Sequence, residues 1–328
     1  MLWGGFSNVI LFYNRVGESG KGTGGRFRLL TLVPTRIDFE KMQPFLRILI
    51  ISLIPLVILR AGASYPLEGE VVEMDPEART LTLKHGGITG ELEAGETVFR
   101  VGAADVLVDY TGKRVRATGY RVGERWWMKT VWPAETIPLR ILADVNRSFQ
   151  QETATGGRRV VRMQGDFVPN FALFNQKGEV VQFRDFKGEV VVLNFIFTRC
   201  PDPSMCPAST ARMARMQRLL DEEGWEGVHQ VSITLDPAYD TPGILKQYAE
   251  SRGISTEDFS FLTGPEAVID DVLKTFGLLT YTEAGVLNHT MATFIIDPNG
   301  KILHRRDGSR WSVADFMGRL GNFFESQT

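Results

Sequence analysis

Cysteine is nearly absent from this 328-residue sequence: there are two, Cys200 and Cys206. A scaffold stapled by several disulfides is therefore excluded, and so is a closed four-cysteine zinc site. Histidine is scarce as well, with His85, His229, His289 and His304 making up the full set. Whatever soft-ligand chemistry the chain performs, it performs with these six residues and ten methionines. Charge of one sign is also lacking, because 37 Lys and Arg stand against 39 Asp and Glu for a net of -2. That balance disfavours a strongly basic nucleic-acid binder. The rest is ordinary globular composition, 43% hydrophobic and 23% charged, at a length that suits about two domains.

The first 63 residues read as an extension plus an export signal or anchor. Residues 1 to about 41 are rich in Gly and Arg and show no period. An apolar core follows, Phe45-Leu46 and then Ile48 to Leu59, with Arg47 breaking in near its start and Ser52 and Pro55 inside it. It is shorter than the ~20 residues of a spanning helix and fits the ~7–15-residue core of a secretory signal. Ala61-Gly62-Ala63 forms a small-x-small cleavage pattern just before Ser64, and Met42 opens a short basic leader upstream. Two readings stand: translation from Met42 with a cleaved signal, or a true tail before an uncleaved membrane anchor. Both put the folded part in the periplasm or on the outer face of the cytoplasmic membrane. Residues 1–41 hold six basic and three acidic side chains, and residues 42–63 add two arginines, which leaves the remainder at a net -7. An acidic exported part further disfavours a polyanionic partner.

Residues 65–134 alternate polar and apolar side chains in short runs. Glu70 to Met74, Thr80 to His85, Thr97 to Val101, Arg114 to Tyr120 and Arg125 to Val131 predict about five strands, with a turn at Asp75-Pro76-Glu77-Ala78. Five short strands in about 70 residues suggest a small all-β, OB-like barrel. Trp126 and Trp127 are adjacent and face opposite sides of a strand, so one is expected in the core. The opening Leu67-Glu68-Gly69-Glu70-Val71-Val72, then Leu83-Lys84-His85 and Phe99-Arg100-Val101, resembles the CusF-like periplasmic copper-binding barrels. In that family a His, two Met and a Trp bind Cu(I) or Ag(I). Only His85 matches here, and the loop Gly90 to Glu96 holds no Met. A structural or docking role is therefore expected of the barrel.

Residues 135–164 read as a linker: a short helix within Ile141 to Gln151, with Leu142, Val145 and Phe149 at helical spacing, then an exposed joint from Thr153 to Arg159. Residues 165–328 alternate strands and helices. Phe171 to Phe174 and Val180 to Phe183 predict a hairpin, and Val190 to Phe197 a buried central strand. Cys206 to Leu220 is helical in period, Val228 to Leu235 is the next strand, and Thr241-Pro242 opens a helix to Arg252. A helix from Pro265 to Phe276, a hairpin around Asp297-Pro298-Asn299-Gly300 and a closing helix from Trp311 to Phe324 complete an α/β, thioredoxin-like sheet.

Chemistry in such a fold belongs where strand meets helix, and Cys200-Pro201-Asp202-Pro203-Ser204-Met205-Cys206-Pro207 lies there. Helix-start N–H groups and the helix dipole stabilise thiolates, and two thiolates at one helix start can cycle with a disulfide or hold a soft metal. The flanking prolines favour exposure of both thiols. His229 reads as a satisfied strand histidine and His304, beside Arg305-Arg306, as solvent-facing.

Val192-Leu193-Asn194-Phe195-Ile196-Phe197-Thr198-Arg199-Cys200-Pro201, Leu235-Asp236-Pro237-Ala238-Tyr239-Asp240-Thr241-Pro242, Phe261-Leu262-Thr263-Gly264 and Asn288-His289-Thr290 resemble, in this order, the Sco/SenC family. The resemblance runs from Gly165 to the C-terminus. It implies a copper-handling thioredoxin-fold protein that helps assemble the CuA centre of cytochrome c oxidase. Cys200, Cys206 and His289 would be the copper ligands, Asp236 would lie just outside them, and Met205 would be at most an extra soft ligand. The usual Sco spacing has three residues between the cysteines; here five intervene. The implied partner is an apo cytochrome c oxidase subunit or another copper-dependent client, loaded with Cu(I) or Cu(II). Alternatives are a thiol–disulfide oxidoreductase, with Cys200 attacking and Cys206 resolving, and a binding module in which the barrel is the working part. A peroxidase lacks its Thr-x-x-Cys arrangement, since Thr198 is only two residues before Cys200.

Overall fold

The computed structural model describes residues 63–134, 161–283 and 286–327, with positions 141, 144, 147, 148 and 151 of the intervening segment, which are helical. The leader, Met42, and the linker residues Leu142, Val145, Phe149 and 153–159 lie outside the described residues. Among the described residues no helix is long and apolar enough to cross a membrane.

The N-terminal part is a closed five-stranded barrel. Strands β1 (Ser64–Asp75), β2 (Thr80–His85), β3 (Gly95–Arg100), β4 (Arg114–Val122) and β5 (Arg125–Pro133) run in the order β1-β2-β3-β5-β4, and β4 pairs back onto β1. The alternation drives closure. Leu81 and Leu83 of β2 are fully buried while Thr80 and Thr82, which alternate with them, are not, and Val71, Phe99, Val115 and Met128 fill the same interior. Neither tryptophan of the Trp126-Trp127 pair is a core residue. Trp126 packs edge-on against Phe99 and Tyr65 at the core margin, and Trp127 stacks on Tyr120 outside.

The C-terminal part is built on a five-stranded sheet. A hairpin of β6 (Ala172–Phe174) and β7 (Val180–Gln182) leads through one 3-10 turn into β8 (Val190–Ile196). Helix α1 (Cys206–Glu223), β9 (Val228–Thr234), α2 (Pro242–Glu250), β10 (Phe259–Leu262) and α3 (Glu266–Phe276) follow. A small hairpin of β11 (Thr280–Glu283) and β12 (Val286–His289) precedes β13 (Ala292–Ile296), β14 (Ile302–Asp307) and α4 (Val313–Glu325). The sheet order is β10-β9-β8-β13-β14, with β8, β9 and β10 parallel and β13 and β14 antiparallel to their neighbours. All seven residues of β8 are buried, as the continuous apolar run requires of a strand covered on both faces. Pro242 begins α2 and the Thr241 hydroxyl accepts from the Ile244 N–H, so the cap-then-proline signal works as expected.

The structure adds elements that the sequence reading did not assign, and it overturns one expectation. Strand β10 pairs with β9 in parallel. The β11–β12 hairpin places His289 at the end of a strand. His304 on β14 is not solvent-facing: its side chain is 15% exposed and rests on the Phe316 ring of α4.

The barrel abuts the sheet domain along α2 and the β6–β7 hairpin. The Lys246 ammonium donates to the Leu107 carbonyl at 2.8 Å. Gly243 lies so close to the barrel that an added Cβ would stand 2.3 Å from the Ala104 carbonyl oxygen. Trp132 meets Phe174, and Gly178 leaves room for the Tyr110 ring.

Candidate metal centre

Three segments converge at the C-terminal ends of β8 and β9. Beyond β8 the chain turns, with the Cys200 N–H bonded to the Phe197 carbonyl at 3.3 Å, and then loops to Cys206, the first residue of α1. His289 enters from the end of β12. The two sulfur atoms and a ring nitrogen of His289 all lie within 4.8 Å of one another. Cys206 Sγ is 3.5 Å from His289 Nε2. His289 Nδ1 is 3.1 Å from the Thr290 carbonyl, an acceptor only, so Nδ1 carries the proton and Nε2 presents its lone pair to the sulfurs. The Phe197 ring stands edge-on to the imidazole and fixes its plane.

The environment is uneven. Cys206 is fully buried, whereas Cys200 is half-exposed. This corrects the expectation that flanking prolines expose both thiols: the first turn of α1 packs into the core, and Cys206 goes with it. Burial pushes the Cys206 thiol well above the usual range, the neighbouring Cys200 adds to that, and a backbone hydrogen bond from Phe197 opposes it. Burial likewise lowers His289, which keeps the imidazole neutral and available as a ligand, while its bond to Thr290 opposes the shift. Helix α1 is pinned from below by a buried polar chain. Ser232 donates to Asn194 Oδ1 at 2.5 Å, and Asn194 Nδ2 donates to Ser209 Oγ at 3.0 Å, one turn into the helix that starts at Cys206. The polar Asn194 inside an apolar strand thus sets the height of Cys206.

The match of known families to this chain falls on the same region. A profile of the SCO1/SenC family covers residues 160–320. The SCO1 protein homolog of Bacillus subtilis is 32% identical over 159 residues, which is 47% of this chain and 81% of the relative. The chain belongs to the SCO1/SenC family. Among solved structures, a SCO1/SenC family lipoprotein from Bacillus anthracis is similar at 30% identity and a TM-score of 0.44, over 49% of this chain and 98% of that one. Arabidopsis thaliana ScoI, solved with copper bound, is similar at 22% identity and a TM-score of 0.44, over 49% and 99%. The barrel lies outside the residues the SCO1/SenC profile matches.

Of the residues that the SCO1/SenC motifs single out, the fold brings Cys200, Cys206 and His289 together and leaves Asp236 to the side. Asp236 is held by Arg199, whose Nη2 stands 2.6 Å from Oδ2 and whose guanidinium also lies 4.0 Å over the Tyr239 ring. Met205 packs against the core at the helix start. His229 donates or accepts at Ser260 Oγ (2.9 Å) and faces Glu189, and burial takes its pKa down to about 4, the structural role expected. His85 is 7% exposed and uses both ring nitrogens inside the barrel, with Thr97 Oγ1 at 3.0 Å and the Gly87 N–H at 3.0 Å. A second carboxylate beside the centre is Asp240, fully buried and bonded to Thr198, two residues before Cys200. It sits four residues after Asp236 in the same SCO1/SenC motif, directly before the α2 cap.

Proposed function

We propose that this chain is an exported copper metallochaperone, in which Cys200, Cys206 and His289 take up copper and hand it by ligand exchange to the CuA site of an apo cytochrome c oxidase subunit. The observation that carries the reading is the convergence of two sulfurs and one imidazole nitrogen within 4.8 Å. Donors bound to one metal at ~2.0–2.3 Å stand at most about 4.6 Å apart, so the three need only a slight contraction. Two soft thiolates with one neutral imidazole suit Cu(I), which accepts low coordination, and Cu(II) would recruit a water or carboxylate in addition. SCO1/SenC membership supports the client class, and the apolar segment expected within residues 1–63 to be an export signal or anchor supports a location in the periplasm or at the outer face of the cytoplasmic membrane.

The protein's own part is to hold the donors ready. His289 keeps its proton on Nδ1 through Thr290, so Nε2 needs no deprotonation. Cys200, the more exposed sulfur, meets the incoming ligand or client first, and buried Cys206 completes the site from behind. The closed five-stranded barrel is read as a structural partner, since both ring nitrogens of His85 are engaged within it.

The unequal burial of the thiols also favours a second reading, a thiol–disulfide oxidoreductase acting on a client's copper-binding cysteines. There the exposed Cys200 attacks and the buried Cys206 resolves the mixed disulfide. The two separate cleanly. Titration of the reduced protein with Cu(I) against a competing chelator should show one equivalent, lost on replacing His289 or either cysteine; undiminished binding in all three variants refutes the chaperone reading. A mixed disulfide trapped in Cys206→Ser but not in Cys200→Ser, with His289 dispensable, supports the oxidoreductase.

A further inference from the structure

Of the two thiols, only Cys206 belongs to a regular element. Cys200 sits on a loop that leaves β8 at Ile196 and does not rejoin a helix until Cys206. A loop of that length leaves its thiol broadly distributed unless something ties it down. Its side-chain ties to residues beyond the loop are therefore informative, and two fall on consecutive residues. Arg199 is held from the outside by Asp236, in a pair whose guanidinium is 55% exposed and whose carboxylate is 13% exposed. Thr198 is held from the inside by Asp240. The Asp240 carboxylate is fully buried and receives three donors from this corner of the sheet. Oδ1 accepts from the Thr198 hydroxyl at 2.5 Å, and Oδ2 accepts from the Thr198 N–H at 3.2 Å and from the Thr234 hydroxyl at 2.6 Å. One side chain thus ties the loop that follows β8 to the end of β9, two residues before Cys200.

A buried carboxylate is an expensive way to fill space, since a well-packed apolar side chain would cost less. Here it does what an apolar residue cannot, because it grips a backbone N–H and two hydroxyls at once in fixed directions. The widened loop between the cysteines makes such a grip more consequential, since five residues separate Cys200 from the start of α1.

We propose that Asp240 is the positioning residue of the metal centre: through Thr198 it fixes the Cys200 turn so that the Cys200 sulfur faces Cys206 and His289. The proposal rests on the reading of Cys200, Cys206 and His289 as one site, and it assigns the residue that assembles that site.

The test uses the full-length protein and two readouts. The first needs no copper. The reduced protein is equilibrated with glutathione and oxidised glutathione, so that two protein thiols become one Cys200–Cys206 disulfide while one oxidised glutathione becomes two glutathione thiols. The equilibrium constant reports how closely the two sulfurs are held. The second is Cu(I) affinity under a competing chelator. Asp240→Ala should lower both constants at least tenfold. Asp240→Asn should stay within threefold of wild type, because the amide oxygen still accepts the Thr198 N–H and the amide NH2 can donate to a threonine hydroxyl whose proton turns away. Thr198→Val, which removes the hydroxyl bond and keeps the backbone one, should fall between. Asp240→Ala within twofold of wild type, in protein whose circular dichroism and melting show it folded, overturns the proposal, and so does Asp240→Asn matching Asp240→Ala. If Asp240→Ala does not fold, Thr198→Val decides, and wild-type constants there overturn it. Wild-type protein that takes up no copper overturns the function proposed above instead, and the disulfide equilibrium still tests Asp240.

Discussion

Replacing Asp105 by Asn should stabilise the protein at neutral pH and leave it unchanged in acid. Asp105 lies in the barrel loop that meets α2 and is 8% exposed. Its carboxylate accepts only two backbone bonds, both long, from Gly102 N–H at 3.3 Å and Val131 N–H at 3.4 Å. Tyr110 is the ionisable group that faces it. Burial therefore wins, and the group is raised from 3.8 to about 6, with the two backbone bonds opposing. The sign follows from proton linkage. Between about pH 4 and pH 6 the folded chain binds this proton and the unfolded chain has lost it, so stability falls as pH rises through that window. Below it both states are protonated and the full stability is present; above it the loss is complete. A shift of about two pH units corresponds to roughly 3 kcal/mol. Asn is uncharged throughout and close in shape. Asp105→Asn should then gain about 2–3 kcal/mol at pH 8, less whatever its amide NH2 fails to pair, and about nothing at pH 4. Urea unfolding followed by tryptophan fluorescence at both pH values reads this directly. An Asn variant that is no more stable than wild type at pH 8 would show that the carboxylate is compensated and refute the reasoning.

Two further outcomes follow from the same geometry. Gly→Ala inside a helix ordinarily gains about 1 kcal/mol, but Gly243→Ala should destabilise by about 1–3 kcal/mol, because its Cβ would press on the Ala104 carbonyl and force the barrel off α2; a raised melting temperature would contradict the close seam. His85→Ala should leave copper stoichiometry unchanged while costing about 1–3 kcal/mol of stability, through the orphaned Thr97 hydroxyl and Gly87 N–H; loss of a copper equivalent would return His85 to the metal chemistry.

The legible parts of this molecule are those with a local cause. Alternation in Thr80-Leu81-Thr82-Leu83 marks a half-buried strand whatever lies beside it. The apolar run of β8 and the cap-then-proline start of α2 are likewise local. What escaped the sequence depends on neighbours distant in the chain. Strand β10 exists because β9 offers it a parallel partner. His304 is covered because α4 returns across β14. Cys206 is buried because the helix it starts is drawn into the core through Ser209 and Asn194, although its prolines suggest exposure.

The chemistry divides in the same way. By itself the sequence determined the inventory: two cysteines and four histidines, ordered motifs that select one of those histidines, and an apolar run at residues 45–59 before an acidic remainder. Those are properties of residue type and spacing, which no folding alters. Only the tertiary structure decided the distances and the burial. It brought residues 200, 206 and 289 within 4.8 Å, tied Asp236 to Arg199, and placed Asp240 under the Cys200 turn. The two carboxylates sit four residues apart in one motif and look alike in the sequence. The fold pairs one with a half-exposed guanidinium and turns the other toward a buried N–H and two hydroxyls, and donor geometry and water exclusion are set by the packing of β8, β9 and α2 rather than by the residues themselves.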